Sequence, residues 1–188
     1  AIACGERRRL RATPLYGILV TPRAEIRIAT PSDARAALEY FAALQAEDLK
    51  TVYRVDTLPT LEEEIEFLRG FETCPNSAWF VLESGGQIVG NLGIRAETRV
   101  QTRHVGNLGM SVLAPFRARG FGTLLLESAI NWAGSTNLRR IQLEVLENNP
   151  RALSLYERFV FAVEGRKPGG VLVDGNYLDL IQMGRAVP

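Results

Sequence analysis

From residue 24 onward the spacing of apolar and polar positions changes period again and again, and each change marks an element. Residues 25–29 alternate and predict a short strand. Thr30-Pro31-Ser32-Asp33 reads as a helix start, with a Thr cap, Pro at the first helical position and an acid three residues after the cap. The helix it opens runs to about residue 44. A polar loop follows, and Thr60-Leu61-Glu62-Glu63 repeats the capping pattern to open a second helix, to about residue 69. Residues 78–83 alternate, Ser84-Gly85-Gly86-Gln87 forms a hairpin turn, and residues 88–95 return as the next strand. A strand over 104–112 carries Gly106 and Gly109, which suit a bulge or a close backbone approach. The helix over about 120–132 places Phe121, Leu124, Leu125, Ala129 and Trp132 on one stripe. Residues 140–146 then predict a strand, 150–158 a helix, and 160–164 with 177–183 a closing antiparallel pair. The order β α α β β β α β α β β is a mixed α/β pattern, with antiparallel strands first and a βαβ unit after them.

Chemistry enters at the turn Arg117-Ala118-Arg119-Gly120-Phe121-Gly122, between a strand and an amphipathic helix. Glycines there let the backbone approach a ligand and leave N–H groups pointing outward. With the positive end of the helix dipole they form an anion site suited to phosphates, and Arg117 and Arg119 add charge. No Gly-Lys-Ser/Thr follows, so this is not a Walker loop, and it is not a dinucleotide GxGxxG either. In the next strand Ile141, Leu143 and Val145 share one face, and Gln142 and Glu144 the other. A carboxylate in an interior strand is costly unless it faces a polar cleft, which makes Glu144 a candidate for lining a site. Asn149 before Pro150 reads as a helix cap, and Tyr156 lies on the stripe Ala152, Leu155, Tyr156, Phe159. Each feature also has a plain architectural reading: a turn that only starts a helix, a solvated face, a cap, a core aromatic.

Composition narrows the classes. The chain has 188 residues, 46% hydrophobic and 23% charged, as for one ordinary globular domain. A net charge of +1 argues against a dedicated nucleic-acid binder. Cys4 and Cys74 lie far apart and His104 is the single histidine, so a disulfide scaffold and a zinc centre are both unexpected. That cysteine usage suits a reducing, cytoplasmic setting, and no apolar run approaches the ~20 residues of a membrane span. Residues 1–23 hold five Arg against one acid, Glu6. They read as an Arg-rich N-terminal extension, flexible or loosely docked, ahead of a single domain over 24–188. They are also compatible with a transit peptide, but their apolar stretch is too short for a secretory signal.

Taken together, these residues resemble the GNAT (GCN5-related) N-acetyltransferase superfamily. Its cofactor motif, Arg/Gln-x-x-Gly-x-Gly/Ala, matches Arg117, Gly120 and Gly122. Its later motif, a strand, then Asn-x-x-Ala, then Leu-Tyr, matches Val145, Asn149, Ala152, Leu155 and Tyr156. Residues 171–179 resemble the tails of the ribosomal-protein and small-amine acetyltransferases, and the likeness covers about 24–185. The resemblance implies the acyl-CoA N-acyltransferase fold, a central and mostly antiparallel sheet flanked by helices, with strands four and five splayed. It implies acetyl-CoA as co-substrate, with no metal. The backbone of Met110, Ser111 and Val112 would pair with the pantetheine arm. The turn of Arg117, Ala118, Arg119, Gly120, Phe121, Gly122 and Thr123 would hold the pyrophosphate. Asn149 would bond the arm, Tyr156 would protonate the leaving thiolate, and Glu144 would take the amine's proton. The acceptor would be a protein N-terminus, a small amine, an amino acid or an antibiotic, and the protein is expected to be a monomer or homodimer that uses no nucleic acid or membrane. A non-catalytic acyl-CoA sensor and an enzyme for another acyl group, such as succinyl, share the fold. One departure is Val160-Phe161, where the family often has Gly-Phe.

Overall fold

Two tight turns set the outline of the sheet. The computed structural model describes residues 24–47 and 57–187; the extension over 1–23 and part of the loop after residue 44 lie outside the described residues. Gly85 and Gly86, with φ of 61° and 81°, join strands β2 (Ala78–Ser84) and β3 (Gln87–Ala96). Asp174 and Gly175, with φ of 49° and 78°, join β6 (Ala162–Val173) and β7 (Asn176–Ala186). Positive φ at both central residues matches the right-handed twist of hairpin strands, which is why Gly and Asp occupy these positions.

With β1 (Ala24–Ile28), β4 (Val105–Val112) and β5 (Arg140–Leu146), these strands form a seven-stranded sheet ordered β1-β2-β3-β4-β5-β7-β6. The β4–β5 pair is parallel and the other pairs are antiparallel. The parallel pair is joined through α3 (Phe121–Ala133), which forms the expected βαβ unit.

Side-chain alternation gives the sheet two covered faces. On one face, Phe80, Leu82, Leu92 and Ile94 pack with Leu125, Leu126 and Ala129 of α3 and Tyr156 of α4 (Pro150–Arg158). Within α3, Leu126 and Ala133 are fully covered, while Leu124 and Trp132 of the expected stripe are half-buried. On the other face, Trp79 and Val81 pack with Ala37 and Tyr40 of α1 (Ala34–Gln45) and with Leu68 and Phe71 of α2 (Leu61–Thr73). Full burial of one such Leu contributes about 1.5–3 kcal/mol, so neither face is a minor appendage of the other.

The helix α2 runs to Thr73, four residues past the end expected from the sequence, and two further boundaries differ from that reading. Residues 31–33 form a 3₁₀ turn before α1 begins at Ala34. Asp33 holds that turn by accepting from the Thr30 N–H at 2.8 Å and from Arg27 at 2.8 and 2.7 Å. The last hairpin is longer than expected, because β6 continues through Lys167-Pro168-Gly169-Gly170. Those residues are absorbed as a register shift between Lys167 and Val171. Gly169 takes φ of 59°, and its N–H donates to Asp179 at 2.8 Å.

Candidate active site

The parallel pair is short. Val105, Gly106 and Asn107 of β4 lie beside Arg140, Ile141 and Gln142 of β5, and there the ladder ends. Beyond it, β4 continues against β3 alone and β5 against β7 alone, so the two strands splay. The register with β3 shows which backbone groups face the opening. Leu113 donates to Val89 at 2.9 Å, which makes 89/113, 91/111 and 93/109 the hydrogen-bonded pairs. The N–H and C=O groups of Met110 and Val112 therefore point away from β3, into the splay. Arg117 Nε occupies the Val112 carbonyl at 2.8 Å, which leaves both Met110 groups and the Val112 N–H open among the described residues.

Ser111 differs from its neighbours. Its backbone faces β3, and its hydroxyl bonds Tyr40 Oη at 2.7 Å and Asn91 Oδ1 at 2.6 Å. Burial pushes the Tyr40 phenol well above its ordinary range, so it stays neutral in this network. Ser111 thus ties β4 to β3 and α1.

After β4 a short 3₁₀ turn, Ala114–Phe116, leads to the glycine turn. Ala118 and Gly120 take φ of 62° and 83°, the left-handed region where glycine is unpenalised. A Cβ on Gly120 would meet nothing within 4 Å, so that face of the turn is open. A Cβ on Gly122 would stand 3.3 Å from both Met110 and Leu155, so that glycine is set by close packing. The first i→i−4 bond of α3 runs from Leu124 N–H to Gly120 C=O at 3.1 Å. The N–H groups of Phe121, Gly122 and Thr123 precede it and have no partner inside the helix. Arg117 pairs with Glu47, whose other oxygen accepts the Ala114 N–H at 2.6 Å; this arginine braces the turn. Arg119 stays exposed, 5.5 Å over the Phe116 ring.

Across the splay, Asn149 caps α4: its Oδ1 accepts the Ala152 N–H at 3.1 Å. The cap uses its oxygen and leaves the amide donors for another partner. Tyr156, one face further along α4, is buried, with its ring 5.7 Å from that of Phe161. The residue before Phe161, Val160, holds φ of 62° where a glycine would be at ease. Glu144 lies at the wall of a cavity of about 300 Å³, with Asn107, Gln142, Glu164 and Gln182. There it pairs with Lys167 and accepts from Gln182 Nε2 at 3.3 Å.

A larger cavity, about 830 Å³, opens on the α1/α2 face and meets the first at Asn107 and Leu108. Phe41, Phe67, Phe71 and Trp79 form its apolar walls, and Gly109, Met110 and Ser111 its border with β4. The pattern reading passes over two residues here, Glu64 and Arg95. Burial raises the Glu64 carboxyl from 4.5 to about 7. The available signal was an acid among Leu61, Ile65, Leu68 and Phe71, inside the apolar stripe of α2. Among the described residues no three His, Cys, Asp or Glu side chains converge as metal ligands, and no helix is long and apolar enough to cross a membrane.

Known proteins resemble this chain in sequence and fold. Residues 41–161 match the model of the acetyltransferase (GNAT) family. An L-amino acid N-acetyltransferase of Escherichia coli K12 is 31% identical over 104 residues, which are 53% of this chain and 62% of that protein. An N-alpha-acetyltransferase of Sulfolobus acidocaldarius is 33% identical over 93 residues, 45% of this chain and 55% of that protein. The chain thus spans less than two thirds of either relative. A GNAT-family acetyltransferase structure from Streptococcus pneumoniae superposes with a TM-score of 0.83 at 30% identity, covering 88% of this chain and 99% of that one.

Proposed function

The chain belongs to the acetyltransferase (GNAT) family, and on that premise we propose that it moves the acetyl group of acetyl-CoA to a primary amine. The observation that carries this reading is the open backbone edge of β4 beside the splay, ending in a turn whose N–H groups face outward. Pantetheine is a chain of amides, and it lies along Met110 and Val112 as one more strand. The pyrophosphate sits on the N–H groups of 119–123, at the positive end of α3. Asn149 donates its free amide hydrogens to a pantetheine carbonyl.

The chemistry is direct transfer. The neutral amine attacks the thioester carbonyl, the C–S bond breaks, and the thiolate takes a proton from the Tyr156 phenol. The proton lost by the amine passes to Glu144, through water, in the polar cavity beside β5. Lys167 balances the charge of Glu144 between turnovers. Ser111 and Arg117 serve the site by fixing β4 and the turn rather than by touching the cofactor.

Isothermal titration with acetyl-CoA, beside succinyl-CoA and ATP, tests this reading, followed by release of the CoA thiol with a panel of amines. Binding of acetyl-CoA together with amine-dependent thiol release is the expected result. Binding to no CoA ester overturns it. Binding without thiol release for any amine makes the protein an acyl-CoA sensor, and a preference for succinyl-CoA reassigns the acyl group.

A further inference from the structure

The large cavity holds two ionisable groups, Glu64 and Arg95, with no ion-pair partner among the described residues. Glu64 is 3% exposed and lines the cavity, and its Oε1 has no hydrogen-bond partner among the described residues. A buried carboxyl with no partner is costly for the folded chain alone, and a cation arriving from outside relieves that cost. Arg95 lines the same cavity, with its guanidinium 4.3 Å from the Phe71 ring and 5.2 Å from the Phe67 ring. It has no acid partner among the described residues, whereas Arg27, Arg117, Arg140 and Arg166 all pair with carboxylates. The two rings fix its plane and leave its N–H groups for a ligand.

Spacing relates the two groups. Glu64 precedes Phe67 by three residues and Phe71 by seven on α2. At about 1.5 Å of rise per residue, the rings under Arg95 stand roughly 5–10 Å along the helix from Glu64. An α-amino acid has its nitrogen and carboxyl carbon two bonds of about 1.5 Å apart, and it reaches both groups through charge-assisted hydrogen bonds of about 2.8 Å. The walls between them are Phe41, Phe67 and Trp79, with Leu58 at one side, so the ligand's remaining part is apolar.

We infer that the acceptor is a free α-amino acid with an apolar side chain, its ammonium received by Glu64 and its carboxylate by Arg95. This rests on the acetyl-transfer reading above. Such an acceptor neutralises both cavity charges at once. A polyamine brings further cations toward Arg95, and a protein N-terminus brings no carboxylate next to its amine.

The test compares kcat/KM at saturating acetyl-CoA. The acceptors are L-leucine, L-methionine and L-phenylalanine, their amides, the corresponding decarboxylated amines, spermidine, and a peptide with a free N-terminal alanine. The free amino acids are expected to lead their amides by about 10- to 100-fold, the worth of one charged hydrogen-bonded pair. Arg95→Gln erases that lead by raising KM for the acids alone, and Arg95→Lys restores part of it. Glu64→Gln raises KM for acids and amides together. The inference falls if an amide, the peptide or spermidine equals the free amino acids, or if Arg95→Gln leaves the lead intact. Titration with acetyl-CoA separates the two levels. If acetyl-CoA binds and no free amino acid turns over, the acceptor assignment fails alone; if acetyl-CoA does not bind, the reading beneath it fails.

Discussion

The cofactor side proposed for this molecule is made mostly of backbone, and the proposed acceptor side is made of side chains. Along the splay, the groups proposed to meet the cofactor are the Met110 and Val112 edge, the first N–H groups of α3 and a left-handed turn at Ala118 and Gly120. A few consecutive residues specify all of them. The cavity on the other face draws Phe41 from α1, Glu64, Phe67 and Phe71 from α2, Trp79 from β2 and Arg95 from β3. Only the finished fold brings them together. A backbone device serves any chain that must hold the same cofactor, whereas a side-chain cavity can be remade for each acceptor without disturbing the device.

The largest expected effect tests the one side chain on which the cofactor side depends chemically. Tyr156→Phe keeps the packing against Phe161 and removes only the hydroxyl. A general acid in the role proposed for Tyr156 accounts for roughly 10²–10⁴ in kcat, so Phe is expected to lower kcat by that factor and to leave acetyl-CoA affinity within twofold. Full turnover removes Tyr156 from the acid role. The next effect tests the backbone itself. Gly120 has open space beyond its Cβ position, so the indole of Gly120→Trp fits the folded chain and fills the phosphate position. Left-handed φ at a non-glycine adds about 1–2 kcal/mol of strain, a modest loss of melting temperature. The loss of several charged hydrogen bonds costs acetyl-CoA affinity about 100-fold or more, read by titration. Unchanged affinity would move the phosphates elsewhere and break the comparison at its first term.

The same contrast governs what the sequence discloses. The strand over 140–146 and the helix over 150–158 fall on their observed bounds, because alternation and an Asn-Pro cap are local signals. The glycine turn is readable for the same reason. The long last hairpin is not, since Lys167-Pro168-Gly169-Gly170 has the composition of a break. Only Asp179, from the facing strand, secures the Gly169 N–H and carries β6 through it. Arg117 illustrates the limit within a motif: its place in the pattern is readable, but its pairing with Glu47, seventy residues earlier, is not. Glu64 and Arg95 read as ordinary polar positions until α2 is laid over β2 and β3.

Glu64 makes the acceptor side measurable without any substrate. Burial raises its carboxyl from 4.5 to about 7 in the folded chain, so the native state holds a proton that the unfolded state has released between those values. Stability is therefore fully retained below about 4.5, falls as pH rises toward 7, and stays reduced above it. The shift corresponds to about 3 kcal/mol. Glu64→Gln keeps the shape and cannot ionise. It is expected to match the parent protein at pH 4 and to exceed it by about 3 kcal/mol at pH 8, measured by urea unfolding across that range. A loss of stability at pH 8 would mean that the carboxylate has a partner within the folded chain, and the cavity would not be waiting for a cation.

The smallest effect asks whether the backbone side is free of the same kind of stored cost. Val160 sits at φ of 62° and is 76% exposed, between the helix that carries Tyr156 and the strand that follows Phe161. A β-branched residue in that region loses about 1–2 kcal/mol to contact between its side chain and the backbone, and exposure gives it little burial in return. The turn persists because its neighbours determine it. Val160 donates to Glu157 at 2.9 Å, Phe161 donates to Tyr156 at 3.1 Å, and the Phe161 ring is buried beside Tyr156. Val160→Gly relieves the contact but adds freedom to the unfolded chain, so the net expectation is a gain of about 0.5–1 kcal/mol. Thermal melting reads this as a rise of a few degrees, with kcat unchanged. If kcat falls while the melting temperature rises, the strained turn helps to place Tyr156, and the backbone side holds strain in the service of chemistry as the acceptor side holds charge.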